Sequence, residues 1–165
     1  MQQKLESLKQ QCTNRIETCY QIAETAFNRK FTRPTVTFSN RLTVTAGMAY
    51  TGKNEIRLST KLLLFNENVF ISDTPGHEAA HLIAYAVYGP DIASHGKEWK
   101  QVMTIIGQNP NRLHSMKSDD FFEYEVDGVK KHLSKIRHNK LQRGRVHSYS
   151  FKDGITVTKE NYNAK

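Results

Sequence analysis

His77, Glu78, His81 and His95 fall within the stretch TPGHEAAHLIAYAVYGPDIASHGKEW, Thr74 to Trp99. On a helix, positions i and i+4 lie on one face about one turn apart, so His77 and His81 can offer both imidazoles to one ion. Glu78 follows the first of them, and its carboxylate can reach a water on that ion without being a ligand. Zinc acidifies such a water and polarises a carbonyl, while a glutamate so placed takes the proton and later delivers it to a leaving amine. That is metallopeptidase chemistry. Two ligands do not complete a catalytic zinc site, which takes three protein donors and an open fourth position.

Three residues are candidates for the third donor: His95, Glu98 and His114. The pattern H-E-x-x-H-x-x-G-x-x-H is excluded, because Ala84 and Val87 stand where it needs Gly and His. Glu98 would be a carboxylate donor on the following helix. His95 opens that helix beside Gly96, where the backbone can approach closely, and its imidazole matches the first two donors. His95 is preferred, and Trp99 beside it is read as core packing.

The elements that must position these residues are legible as periodicities. Leu5, Leu8, Cys12, Ile16, Cys19, Ala23 and Phe27 recur every three or four residues, predicting an amphipathic helix of about seven turns. Its two cysteines are expected on one buried face as small hydrophobes, with no disulfide. Alternation in TVTFS, in RLTVTAGMAYTG and in NEIRLS predicts three strands of a small antiparallel sheet. KLLLFNENVFISD returns to helical composition, and Pro75 either starts the next helix or kinks a longer one. Gly89-Pro90 ends that helix, and a second runs from about Gly96 to Ile106. From Phe121 onward, FFEYEV, HLSKIRH, RVHSYSF and ITVT read as short strands between glycine turns.

Charge is unevenly placed. Residues 1–127 carry 14 Lys and Arg against 14 Asp and Glu, whereas 128–152 carry eight basic residues and no acidic one. Lys130, Lys131, Lys135, Arg137, Lys140, Arg143 and Arg145 therefore form a localised positive stripe, the footprint of a polyanion binder. Without a helix suited to reading a major groove, single-stranded or distorted DNA is the expected partner, with Tyr149 and Phe151 as candidates to stack on bases. The first thirty residues lack an apolar signal-like core, and no run of about eighteen apolar residues occurs, so a cytoplasmic protein without membrane contact is expected.

The order NEIRLS, PGHEAAHLIAY, SHGKEWK and RHNKLQRGR resembles the SprT family of zinc metallopeptidases, to which the eukaryotic protein Spartan is related. The resemblance covers nearly the whole chain. It implies an α+β, zincin-like core over 1–118, with one zinc per chain on His77, His81 and His95, and Glu78 as the catalytic residue. It further implies cleavage of proteins bound or crosslinked to DNA, activated by DNA binding, with the strand Asn54 to Ser59 a candidate to hold substrate by main-chain hydrogen bonds. Family members commonly end in a zinc ribbon of four cysteines, but this chain has none after Cys19. Residues 119–165 are accordingly read as a degenerate ribbon in which Phe121, Phe122, Tyr124, Tyr149 and Phe151 replace the metal. A nucleic-acid-binding module with a structural or vestigial zinc site is the alternative.

Overall fold

The computed structural model describes residues 2–110, 116 and 121–163, with the backbone alone at Phe121. Contacts divide the chain into two compact units, 1–117 and 118–165. The architecture is α+β with three small sheets. Among the described residues, no helix is long and apolar enough to cross a membrane.

The first unit opens with α1, Gln2–Phe27, whose buried stripe is Leu8, Cys12, Ile16, Cys19, Tyr20 and Ala23. Spacings of three and four keep one face apolar over the whole length, and both cysteines are buried and unbridged. Strands β1 (Thr35–Ser39), β2 (Gly47–Tyr50) and β3 (Glu55–Ser59) form the sheet. Its order is β1-β3-β2, which corrects the antiparallel expectation: β1 runs parallel to β3, with Val36 opposite Ile56, and only β2 is antiparallel to it, with Ala49 opposite Ile56. Burial explains the order. Ile56 and Leu58 are fully buried, so β3 takes the centre, while the half-exposed β1 and β2 take the edges. A second correction follows, since β3 has both edges paired and cannot accept a further strand; β2 presents an edge within this sheet.

Ser59 turns the chain from sheet to helix. Its hydroxyl donates to the Leu42 carbonyl at 2.6 Å and accepts from the Leu62 N–H at 3.1 Å, capping α2 (Thr60–Phe65). Helix α3 then runs Glu67–Tyr88 with Pro75 inside it, so Pro75 does not begin the helix. Its small residues Ala79, Ala80 and Ala84 are fully buried, which lets α1 lie close along it. Gly89, at φ 86°, ends α3 in a conformation that favours glycine. Helix α4, Lys97–Ile105, buries Trp99, Val102 and Met103 against the same core.

In the second unit, β4 (Phe121–Val126) and β5 (Val129–Ser134) form a hairpin around Asp127 and Gly128, both at positive φ, as a tight hairpin turn requires. The predicted strand HLSKIRH is corrected: β5 stops at Ser134, and Lys135–Gln142 form helix α5. The reason lies in the apolar spacing, because His138 and Leu141 are three apart and both buried, which suits one helix face and not one strand face. Strands β6 (Ser148–Ser150) and β7 (Thr156–Thr158) complete the unit. Its own core is Tyr124, Leu133, Leu141 and Val157, with Phe122, Tyr149, Phe151 and Tyr162 packed around them.

Candidate metal centre

Helix α3 delivers His77 and His81 one turn apart, and the loop before α4 delivers His95 opposite them. Ligand atoms of all three lie within 4.8 Å of one another, and the Nε2 atoms of His77 and His95 are 3.1 Å apart. Three like donors converge on one point, which is what a bound cation would need. Glu98 and the other carboxylates of the described residues do not join this cluster. His114 lies outside the described residues.

Trp99 holds the three rings together. Its indole lies 4.8 Å from His77, 5.4 Å from His81 in a stacked arrangement, and 4.7 Å from His95, centroid to centroid. Its Nε1–H points at the His77 carbonyl, 3.5 Å away. The residue read as core packing is therefore also the floor of the cluster. Burial beneath this floor, followed by the nearby His95, lowers the His81 pKa to about 4, while the Ser94 carbonyl acts the other way. The ring is thus neutral at ordinary pH, the state a metal ligand requires.

Glu78 is 7% exposed and sits between α3 and the edge strand β2. Desolvation raises its pKa to about 8, against a smaller opposing effect from the Ala49 backbone N–H. Gly47 touches it: a Cβ built there would stand 2.7 Å from Glu78 Cγ and 2.8 Å from Oε1. Only glycine leaves this space for the carboxylate. The sequence did contain a signal for this contact, since a glycine inside a strand pattern marks close approach of another group.

The SprT-like family model matches residues 16–119. The chain belongs to the SprT-like family. Protein SprT of Actinobacillus succinogenes is 38% identical over 149 residues, covering 87% of this chain and 86% of that protein. Protein SprT of Pasteurella multocida is 37% identical over 149 residues, covering 87% and 89%. Protein SprT of Pseudomonas aeruginosa is 43% identical over 102 residues, 61% of each chain. No solved structure gives a significant match. The three histidines and Glu78 all lie within the matched SprT-like segment.

The basic residues fall in the second unit and divide into two groups. Lys130 pairs with Glu123 at 2.9 Å, and Lys131 pairs with Asp153 while lying 5.1 Å above the Phe151 ring. Lys135, Arg137, Lys140, Arg143 and Arg145 are exposed on or just after α5 and form no ion pair among the described residues. Arg137 lies 5.4 Å above the Tyr149 ring. Of the aromatic residues named from the sequence, Tyr124 belongs to the second core and Phe122, Tyr149 and Phe151 pack against it, while the side chain of Phe121 lies outside the described residues. Phe122 stacks on His138 at 3.7 Å, and the Tyr124 hydroxyl meets His138 Nδ1 at 2.9 Å.

Proposed function

We propose that this SprT-like chain is a zinc-dependent endopeptidase that cleaves DNA-associated or DNA-crosslinked proteins and is activated by binding DNA. The observation that carries the reading is the convergence of His77, His81 and His95 with a buried Glu78 beside them. The donor set suits zinc: three imidazoles, no thiolate and no carboxylate in the cluster, which leaves room for a fourth, open position. When bound there, zinc supplies Lewis acidity, lowering the pKa of a water towards about 7 and polarising a carbonyl.

The chain's own groups supply the rest. Glu78 takes a proton from the attacking water at its carboxylate and passes it to the leaving amine; its desolvated setting makes the carboxylate an avid base. Strand β2, at a sheet edge and in contact with Glu78 through Gly47, is the candidate to align a substrate strand by main-chain hydrogen bonds. The cavity bordering His77 is lined by Arg15, Ser72, Asp73, Gln108 and Asn109, with Met103 its one large apolar wall. Such a polar surface favours little side-chain selectivity. Specificity then comes from tethering: the exposed cations of α5 bring the enzyme to DNA and so raise the local concentration of whatever protein is held there.

The alternative, a nucleic-acid-binding module with a structural metal, gives no role to Glu78, whose burial with no cationic partner is costly in a site that does no chemistry. Incubating the zinc-loaded chain with a DNA-binding protein, with and without single-stranded DNA, tests the proposal. Cleavage that increases with DNA is the expected result; retention of DNA and zinc without cleavage in either condition would favour the binding module.

A further inference from the structure

Ile136 is the most exposed large hydrophobic side chain among the described residues, at 70%, against 59% for Val44. It lies in the first turn of α5, and its position is set by the fold of the second unit. His138 and Leu141 turn the opposite face of the helix into the core, where Gln142 also donates to the Tyr124 hydroxyl at 3.2 Å. The outward face therefore carries Ile136, Lys140 and Arg143 at i, i+4 and i+7, with Lys135 and Arg137 flanking Ile136. An apolar side chain thus shares the outward face with Lys140 and Arg143 and has Lys135 and Arg137 as its sequence neighbours, and none of these four cations has an ion-pair partner among the described residues.

The side chains best suited by type to contact bases are already engaged. Tyr149 and Phe151 are half-buried against the second core, and each carries a cation over its ring. Resting on the nucleic-acid reading above, we propose that Ile136 packs against the face of an unpaired base while Lys135, Lys140 and Arg143 hold the flanking phosphates of a single strand. Charge complementarity selects a polyanion, and the lone apolar side chain selects one that exposes flat apolar faces between its charges. Paired DNA hides those faces in the stack. An anionic membrane is disfavoured because the outward face of α5 offers one apolar anchor, whereas surface-bound helices bury a whole apolar face.

The test uses the full chain and a labelled oligonucleotide of about 20 nucleotides, single-stranded or annealed to its complement, titrated at several salt concentrations. Ile136→Ala is expected to weaken single-strand binding about fivefold or more, with an unchanged salt slope and little effect on duplex binding. Lys140→Gln is expected to reduce the salt slope by about one contact. Because Ile136 is solvent-exposed, the variant should keep the native circular dichroism and unfolding midpoint. Equal single-strand affinity of native chain and Ile136→Ala would overturn the inference and leave the nucleic-acid reading standing. Failure of the native chain to bind the oligonucleotide at low salt would remove both, and Ile136-dependent binding to phosphatidylserine vesicles in that case would assign the surface to membranes.

Discussion

Gly47 and Glu78 are packed so closely that a single added methyl group at Gly47 would lie 2.7 Å from the glutamate's Cγ. The edge strand and the Glu78 carboxylate therefore share one position. Gly47→Ala is expected to push the carboxylate aside without touching the histidines. A misplacement of about 1 Å at a reacting group costs on the order of 100-fold in rate. The prediction is a loss of that size in kcat/KM for peptide cleavage with zinc content unchanged, read by steady-state kinetics beside metal analysis. Full activity in Gly47→Ala would show that the carboxylate has room to spare.

Trp99 is the sole tryptophan of the chain and lies within 5.4 Å of all three imidazoles, so its emission should report the site. Removing metal with a chelator is expected to change Trp99 fluorescence, and adding zinc to restore it. Replacing His77, His81 or His95 by alanine should abolish the restoration, since each removes one of three donors. Emission that ignores both chelator and zinc would argue against metal at this cluster.

Arg33 ties the end of α1 to the chain that follows it. Its guanidinium meets Glu17 at 2.7 Å and Glu24 at 2.6 Å. Hydrogen bonds from Arg33, then from the Phe31 N–H and Lys30, lower the Glu24 pKa from 4.5 to about 2, and Arg33 likewise lowers that of Glu17. A carboxylate with a depressed folded pKa contributes stability that is complete above its unfolded pKa and lost as the pH falls through the folded one. The urea midpoint should therefore fall as pH drops from about 4.5 towards 2, and Arg33→Gln should lower the midpoint at neutral pH and flatten that acid slope. Parallel curves for the two proteins would contradict this.

In the second unit, Tyr124 is fully buried with its hydroxyl on His138, a ring whose pKa burial lowers. Tyr124→Phe removes that hydrogen bond and leaves polar partners unsatisfied, at a cost of about 1–3 kcal/mol. Chemical denaturation checks the loss. Metal analysis of the native chain should return one zinc per molecule, because aromatic side chains occupy the core of this unit. Two zinc ions per chain would refute aromatic replacement.

Much of the site was readable because its information is local. His77 and His81 are one helical turn apart, and α3 follows from apolar composition bounded by Gly89. The face of α1 was readable for the same reason, since its buried stripe repeats at helical spacing. What escaped depends on distant partners. Nothing in NEIRLS states that β3 takes the centre of the sheet, since that depends on how well β1 and β2 can cover it. The contact of Gly47 with Glu78 joins residues 31 apart in sequence, so the glycine alone showed only that something approaches closely. In KIRH the single apolar residue, Ile136, sets no periodicity and fits strand or helix alike, and burial of both His138 and Leu141 decides for helix.

His77, His81 and His95 are proposed to hold a metal for chemistry carried out with Glu78. The most direct measurement compares native chain and Glu78→Gln, each loaded with zinc and supplied with single-stranded DNA, for cleavage of a DNA-bound protein and for zinc content. One zinc per chain in both, and cleavage by the native chain alone, is the expected result. Equal cleavage by the two proteins, or zinc bound without cleavage by the native chain, would contradict it.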